Sequence, residues 1–382
     1  MATSGTAFSR QNPRKKLPNK ILVAYTTNNC RDDMTKVTQA IEEGVNVLIW
    51  SFIHFVARED AIHETCTSIA ELTCGVRIQA ELDLSKYSLY REQLRLMGFS
   101  KVVHLVAFGG WNGPHLPSGY SSLELFDAFN NFNNRNNDDA FGGPLFDGID
   151  WDLEGHDDMQ SPTNEFTIEC LDQMGELSKL IKDDGFIVSM APPESYLDIT
   201  SQKFSLRVNL TYPDPWHEDF QYHGRNVYAY VLAKWNDAID LIFLQFYESF
   251  SHAAYQVSQR GQSPSDFLIE YCDTLANYGE SMRVDFEDDP SVRLQNQSIK
   301  LPLSKLVFGF ANGWALNDDI GDKTIFFPAD SIKKAYRELA MSGKEPRGVG
   351  CWVVEEEGNN GINYIKDLKS IVVDYGSVIE QK

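Results

Sequence analysis

The sequence predicts an α/β protein built as a (β/α)8 TIM barrel, in which eight parallel strands alternate with eight helices. Three observations lead to this prediction. Eight short apolar runs alternate with amphipathic stretches, the fourth run ends in a cluster of acids, and 42% of the 382 residues are apolar, enough for a large core. A doubly wound open sheet is the alternative. The count of eight and the position of the acids favour the barrel.

The predicted strands are nearly continuous in apolar character. This is expected of parallel strands that helices cover on one side and that pack inside a barrel on the other. The runs span 20–26, 45–53, 101–108, 145–153, 186–191, 240–247, 305–311 and 348–354. Within the long connection 54–83, residues 76–82 (VRIQAEL) predict one additional small strand.

The predicted helices lie between these runs. Several begin with Asp, Ser or Asn and several end near Gly, which is the chemistry that caps helices. They span 32–43, 84–97, 121–135, 164–183, 225–238, 264–280, 329–342 and 360–371. Two further long connections follow at 192–224 and 281–304, whereas the link 312–328 is too short for a sizeable insertion domain after the seventh strand.

The chain divides into a basic tail and one domain. The first 31 residues carry six basic residues and no acid, and residues 1–19 contain two prolines and no apolar run, so we predict a flexible tail. Residues 20–382 then form a single barrel domain. The start lacks the apolar segment of a secretory signal, which favours a cytoplasmic protein, and it loosely resembles an organelle transit peptide. A solvated tail is the favoured interpretation.

Charge and composition exclude several classes of partner. The formal net charge is −21, from 34 basic and 55 acidic residues, and this excess repels a phosphate backbone and excludes nucleic acid. No stretch approaches the roughly 18 apolar residues that a membrane span needs. The six cysteines show no metal-ligand spacing, so we expect them reduced and mostly buried, with a local Cys66–Cys74 bridge as the alternative in an exported protein. We expect a monomer.

One segment carries the candidate chemistry. Between Phe146 and Gly155 the acids follow the pattern Asp-x-x-Asp-x-Asp-x-Glu. Because alternate residues of a strand share a face, Asp150, Asp152 and Glu154 line one side, with Glu154 at the carboxyl end where barrel enzymes place catalytic groups. Three crowded carboxyl groups cannot all ionise. We predict a proton shared between Asp150 and Asp152 and a Glu154 that stays partly protonated, as a general acid must.

The same acids could instead bind Mg²⁺ or Ca²⁺, or lie on a solvated strand. The intervening Ile149, Trp151 and Leu153 disfavour a solvated strand. No second acidic or histidine cluster completes a metal site in the sequence. We therefore expect acid–base chemistry with no metal and no cofactor.

These residues resemble the signature of glycoside hydrolase family 18, the chitinases and their relatives. The resemblance extends over roughly residues 20–370 and rests on matches in the same order along the chain. They are Asp147 to Glu154, Gly109-Gly110-Trp111, Met190-Ala191-Pro192, Gln245-Phe246-Tyr247 and Trp352.

The resemblance implies endo-hydrolysis of β-1,4-linked N-acetylglucosamine in chitin or its oligosaccharides. The implied mechanism is substrate-assisted and retains the configuration of the anomeric carbon. Glu154 would protonate the glycosidic oxygen, and the 2-acetamido carbonyl of the sugar would attack the anomeric carbon. Asp152 would hold the acetamido N–H, Tyr247 would bind its oxygen, and Asp150 would tune Asp152. Relatives of this kind are often secreted, which leaves the compartment open.

The resemblance also implies a set of substrate-binding residues. Sugar C–H faces stack on aromatic rings, and Trp352 would form the floor beneath the cleaved sugar. The set is Trp352, Asp147, Met190, Gln245, Tyr25, Phe52, Gly110 and Trp111, with Tyr196, Trp216 and Trp314 as further aromatic candidates. Within it, Asp147 lies at the other strand parity and favours a role in fixing the backbone. Met190 is a pocket wall or a packing residue.

Three departures from the family pattern affect the expected function. Ala107 stands where the family usually has Ser, and Glu248 follows Tyr247 where Asn or Asp is common. The short link 312–328 predicts an open cleft, which suits endo-cleavage. Two alternatives remain open: a non-catalytic chitin-binding lectin of the same fold, and an endo-β-N-acetylglucosaminidase that cuts N-glycan cores.

Overall fold

Eight parallel strands close into a barrel in the structure, a computed structural model that describes residues 15–30, 32–57, 75–134, 143–208, 226–248, 251–317 and 325–376. The strands are β1 Ile21–Thr26, β2 Val47–Ala57, β3 Val76–Ala80, β4 Val103–Gly110, β5 Gly148–Leu153, β6 Ile187–Met190, β7 Leu241–Gln245, β8 Ser281–Val284, β9 Gln297–Lys300, β10 Leu306–Ala311 and β11 Gly348–Trp352. The barrel order is β1-β2-β4-β5-β6-β7-β10-β11, and β1 pairs with both β2 and β11 to close it. The predicted TIM barrel is confirmed.

Helices follow the barrel strands as the sequence predicts. They are α1 Thr35–Glu42, α2 Leu84–Leu96, α3 Ser122–Asn133, α4 Ile168–Asp183, α5 Ala229–Trp235, α6 His252–Ala254, α7 Pro264–Asn277, α8 Ala329–Ser342 and α9 Tyr364–Gly376. Their starts show the expected capping. Ser121 and Glu124 form a reciprocal capping box at α3, and the Thr167 side chain accepts the Cys170 amide at α4. None of the described helices has the length and apolar character to cross a membrane.

Two small antiparallel strand pairings lie outside the eight-strand barrel. The predicted strand near 76–82 is β3, which pairs antiparallel with the end of β2. The connection 281–304 contains an antiparallel hairpin of β8 and β9 that the sequence analysis did not predict. Each strand of this hairpin has only four residues, and its alternation is too short to distinguish from loop sequence.

Strand parity divides the core into two layers. Residues such as Val23, Ile49, Leu105 and Phe243 fill the barrel interior. Alternate residues, Trp151 among them, pack between the strands and the helices. Strands buried on both faces therefore explain the continuous apolar runs of the sequence.

The end of the predicted tail contacts the base of the barrel. The Lys15 ammonium donates to the Val102 carbonyl and to Asp147, and Arg347 donates to the carbonyls of Leu17 and Pro18. Residues 1–14 lie outside the described residues, so the flexible tail and the domain boundary at residue 19 stay predictions. Cys30, Cys170, Cys272 and Cys351 are free and buried, whereas Cys66 and Cys74 also lie outside the described residues.

Candidate active site

Strand β5 brings the three predicted acids to one end of the barrel. Asp150 and Asp152 point into the interior and are 0% and 3% exposed, while Glu154 follows the last strand residue and is half-buried at the rim. The intervening Trp151 and Leu153 pack outward in the helix-facing layer. The alternation predicted from the sequence therefore positions these acids, because a strand turns successive side chains to opposite faces.

Asp150 is the deepest of these acids and is held by hydroxyl groups. The Tyr25 hydroxyl donates to its Oδ2 at 2.7 Å, and the Ser189 side chain forms a second hydrogen bond. Burial raises the pKa of Asp150 to about 6, and the two hydrogen bonds partly oppose this rise. Its other oxygen, Oδ1, is buried without a hydrogen-bond partner among the described residues.

Asp152 and Glu154 form the central pair, joined by a hydrogen bond between their side chains. Burial raises the pKa of Asp152 well above its usual range, and the charges of Glu154 and Asp150 raise it further. Burial raises the pKa of Glu154 to about 8, and the charge of Glu248 adds to this rise. The pair therefore holds a proton at neutral pH, which is the condition for a general acid.

The predicted sharing of a proton between Asp150 and Asp152 stays a prediction. In the structure the hydrogen bond of Asp152 goes to Glu154. One oxygen of Asp150 accepts the Tyr25 hydroxyl, and its other oxygen has no hydrogen-bond partner among the described residues. Parity alone places three acids on one face and cannot indicate which two of them will bond.

Gln245 supports the pair from below. Its Nε2 donates to Asp152 Oδ1 at 2.9 Å and to the Ala191 carbonyl at 2.7 Å, and these two bonds use both of its hydrogens. Gln245 is 3% exposed. It therefore orients the Asp152 carboxyl group; a substrate-binding role for it stays a prediction.

Tyr247 lies beside the pair, two residues beyond β7. Burial raises the pKa of its hydroxyl well above the usual range, and the next largest causes are the charges of Asp152 and Glu154. The ring packs edge-on against Trp314 with centroids 6.2 Å apart. The phenol is therefore protonated at any ordinary pH and can donate a hydrogen bond in the cleft.

A cluster of aromatic side chains, which we call the aromatic floor, lies at the end of the barrel that holds the acids. Trp352 at the end of β11 is half-buried, with ring centroids 5.7 Å from Tyr25, 6.2 Å from Phe52 and 6.5 Å from Trp314. Gly110 lies under Phe52, and a Cβ atom there would meet the Phe52 ring at 2.5 Å. Gly110 is thus required by the close approach of this ring, and a direct contact of Gly110 with substrate stays a prediction.

Trp111 stands at the rim and is 47% exposed. Its Nε1 donates to Asp157 Oδ1 at 3.0 Å, and its ring lies close to Gly155, next to Glu154. The indole is therefore held in place rather than free to rotate, which suits a stacking platform. Of the other aromatic candidates, Tyr196 is 4% exposed and belongs to the core, and Trp216 lies outside the described residues.

Two predicted substrate-binding residues lie away from the cleft. Asp147 precedes β5 at the opposite end of the barrel, where it accepts hydrogen bonds from the His104 amide and from Lys15, so it fixes the backbone. Met190 is fully buried in the layer between strands and helices, because its neighbour Ser189 takes the inward position. These positions favour backbone fixing for Asp147 and packing for Met190, and the assignment of the two residues to substrate binding stays a prediction.

Two further residues belong to the site. Ser189 was not predicted from the sequence, and Glu248 was noted there only as a difference from the family pattern. Ser189 bonds Asp150, and Glu248 accepts the Ser195 amide at 3.0 Å and lies close enough to raise the pKa of Glu154. Strand parity could have found Ser189, since it faces inward two positions before Ala191. Among the described residues, no group of three or more His, Cys, Asp or Glu side chains is arranged to hold a metal ion.

No protein-family model matches the sequence, and no curated protein matches it. Solved structures do share its fold. The catalytic domain of a hyperthermophilic chitinase from Pyrococcus furiosus gives a TM-score of 0.54, with 11% identity over 96% of this chain and 99% of that chain. A fungal endo-β-N-acetylglucosaminidase from glycosyl hydrolase family 18 gives 0.53, with 14% identity over 92% and 97%. A family 18 chitinase from Flavobacterium johnsoniae gives 0.50, with 13% identity over 94% and 95%.

At these identities the likeness establishes the fold. The protein is a (β/α)8 barrel of the kind found in family 18 catalytic domains, as the motif resemblance predicts.

Proposed function

We propose that the protein is a glycoside hydrolase of the family 18 type, acting on β-1,4-linked N-acetylglucosamine in chitin or its oligosaccharides. The observation that carries this proposal is the hydrogen-bonded Asp152–Glu154 pair with raised pKa values, which lies beside Tyr247, at the end of the barrel where Trp352 packs on Tyr25. The cleft offers an acid that is protonated at neutral pH and an aromatic surface for a sugar ring.

The geometry of the pair supports a substrate-assisted mechanism. A retaining hydrolase with an enzymic nucleophile places two carboxyl groups about 5 Å apart on opposite sides of the glycosidic bond. Here the two carboxyl groups bond to each other, so Asp152 lies on the same side as the acid. The nucleophile is then the 2-acetamido oxygen of the substrate, and the product retains the configuration of the anomeric carbon.

Each residue has a defined part in this mechanism. Glu154 gives its proton to the glycosidic oxygen as the bond to the leaving sugar breaks. Asp152, freed from that proton, accepts the acetamido N–H and offsets the positive charge that develops on the oxazolinium ring. Tyr247 donates to the acetamido oxygen and orients it for attack. Glu154, now a carboxylate, takes a proton from the water that opens the ring.

The test is turnover of chitotetraose by the full chain, with anomeric configuration followed by proton NMR. We expect β-anomeric product, and we expect Glu154→Gln to keep the fold and lose activity by about 10³-fold, as removal of a general acid costs 10²–10⁴-fold. Gln preserves the volume of the side chain, so circular dichroism and melting temperature provide the folding control. Full activity in Glu154→Gln would falsify this assignment.

A second candidate is hydrolysis of the N,N′-diacetylchitobiose core of N-glycans, since one of the structural neighbours is an endo-β-N-acetylglucosaminidase. It requires the same acids and the same acetamido group. Parallel assays on chitotetraose and on an N-glycosylated protein discriminate the two. Binding of chitotetraose without product from either substrate would indicate a lectin.

A further inference from the structure

Three consecutive backbone carbonyls at the end of β5 each accept a hydrogen bond from outside the strand. The Tyr228 hydroxyl donates to the Leu153 carbonyl at 3.0 Å, His115 Nε2 lies 2.9 Å from the Glu154 carbonyl, and the Asn112 amide donates to the Gly155 carbonyl at 3.0 Å. Because β5 ends at Leu153, the sheet no longer orders this segment. The position of the Glu154 backbone therefore depends on these donors.

His115 makes the contact to Glu154 itself. A carbonyl oxygen only accepts hydrogen bonds, so Nε2 carries the hydrogen and Nδ1 does not. The ring is half-buried and packs on Phe166 with centroids 4.1 Å apart. Burial lowers the pKa of His115 to about 4, so the imidazole is neutral at physiological pH and holds one tautomer.

The loop that carries His115 is itself anchored to the segment after Glu154. Asn112 Nδ2 donates to Asp157 Oδ2 at 2.8 Å, and the Asp157 amide donates to Asn112 Oδ1 at 2.8 Å. Gly113 folds against β4 so closely that a Cβ atom would meet the Gly109 carbonyl oxygen at 2.3 Å. A loop held at both of these points can resist rotation of the Glu154 peptide.

We propose that His115 is a positioning residue, which fixes the backbone of Glu154 from the loop after β4 and thereby keeps its carboxyl group against Asp152. This inference rests on the proposed function only in treating Glu154 as the acid. His115 does not touch the reacting atoms in this arrangement. Its effect passes through one backbone hydrogen bond.

Loss of this bond has a specific consequence. The Glu154 peptide gains freedom, and its carboxyl group spends less time in the hydrogen bond with Asp152. The pKa of the pair then changes, although the other titratable groups near Glu154 keep their places. These groups are Glu248, Tyr196, Tyr228 and Tyr247. The aromatic floor is on other strands, so substrate affinity is retained.

The test compares three variants of the full chain. His115→Phe keeps an aromatic ring on Phe166 but removes the donor. His115→Gln keeps an N–H donor at a similar reach, so it should restore what the Phe variant loses. His156→Phe is the matched control, because His156 lies near Glu154 in sequence and its ring accepts only the amide of Asp158 among the hydrogen bonds of the described residues.

Two measurements are made on each variant. Carbon-13 NMR follows the titration of the Glu154 carboxyl, identified by its absence in Glu154→Gln, and does not need turnover. Kinetics on chitotetraose gives kcat and KM across pH. We expect His115→Phe to shift the Glu154 titration by at least half a pH unit and to lower kcat about 10-fold at unchanged KM, with recovery in His115→Gln.

Each outcome decides the proposal. An unchanged Glu154 titration in His115→Phe, with the protein folded, overturns it, and so does an equal shift in His156→Phe. Failure of His115→Gln to recover also overturns it, because the donor would then not be the cause. If the wild-type protein hydrolyses no chitotetraose, the proposed function fails, while the NMR titration still tests the positioning role. If His115→Phe does not fold, nitrogen-15 NMR of the wild type decides: a protonated Nδ1 at neutral pH overturns the proposal.

Discussion

The two ends of strand β5 use the same residue type in opposite ways. Asp147, at the amino end, accepts hydrogen bonds from the His104 amide at 2.8 Å and from Lys15 at 3.0 Å, and the Arg91 guanidinium lies 3.8 Å away. At the carboxyl end, Asp152 bonds to Glu154 and to Gln245, and among the described residues neither acid forms an ion pair with Lys or Arg.

The amino end of the strand therefore contributes to stability, and the carboxyl end carries the chemistry. Asp147 is charge-compensated, so it holds β4, β5 and the chain start together. The acids at the other end lack that compensation, which keeps them protonated and reactive but costs stability. Another buried acid follows strand β6. Glu194 is 1% exposed, and burial raises its pKa to about 8.

The largest expected effect comes from Asp152→Asn at the carboxyl end. Asn keeps the acceptor for Gln245, but it removes the negative charge that would offset the oxazolinium ring. We expect kcat on chitotetraose to fall 10²–10³-fold, the range observed for lost transition-state stabilisation. Melting temperature should not fall, because a buried carboxyl group is replaced by a neutral one. Activity of Asp152→Asn within twofold of the wild type would contradict a chemical role for Asp152.

The next effect is on stability, at the amino end. Asp147→Ala should lower the free energy of unfolding by about 3 kcal/mol, since it leaves the buried Arg91 and the His104 amide without this carboxylate. Activity per folded molecule should stay unchanged. Urea denaturation measures the loss, and Asp183→Ala is the control, because its ion pair with Lys179 is exposed and should matter by less than about 0.5 kcal/mol. Equal losses of unfolding free energy in Asp147→Ala and Asp183→Ala would contradict a special stabilising role for Asp147.

The third effect concerns pH and Glu194. Its raised pKa means that the folded state holds this proton where the unfolded state has lost it, so its ionisation reduces stability as pH rises from about 4.5 through 8. The groups facing it are Asp198, His252, Glu248 and Tyr271. Glu194→Gln keeps the acceptor for the Ala253 amide, observed at 2.8 Å.

We expect the stability advantage of Glu194→Gln over the wild type to grow by about 2 kcal/mol between pH 6 and pH 9. Thermal melts across this range measure it, and Asp198→Asn provides the opposite control. His252 and Thr200 hold the pKa of Asp198 at about 2 despite burial. Removal of this carboxylate in Asp198→Asn should therefore destabilise the protein throughout this pH range. A pH-independent difference for Glu194→Gln would show that burial does not keep Glu194 protonated.

The smallest expected effect is at Ala107, in the same layer of the barrel as Ser51 and Asp150. Ser51 Oγ and Asp150 Oδ1 have no hydrogen-bond partner in the described part of the chain. Ala107→Ser should supply a donor to Asp150, lower its pKa and raise stability by about 0.5–1 kcal/mol. The control is Ala24→Ser, where the hydroxyl would enter the apolar layer under the helices and should destabilise. Stabilisation by both variants, or by neither, would argue against an unmet acceptor on Asp150.

Much of the fold and part of the site could be predicted from local sequence pattern. The eight runs became the eight barrel strands, and the alternation in 147–154 correctly placed Asp150 and Asp152 inward and Trp151 outward. The β8–β9 hairpin was missed because four-residue strands carry too little periodicity. Met190 was left open between a pocket wall and a packing residue, and strand parity, which turns Ser189 inward and Met190 outward, favours packing.

The sequence by itself determined the barrel and the identity of the acids, because burial on alternate faces imposes a period that is legible over six or eight residues. Only the tertiary structure decided how those acids bond. Tyr25 reaches Asp150 across 125 residues of chain and Gln245 reaches Asp152 across 93, and such contacts leave no periodic trace. The choice of Glu154 rather than Asp150 as the partner of Asp152, and the approach of His115 to the Glu154 carbonyl, follow from where the closed barrel brings its strand ends together.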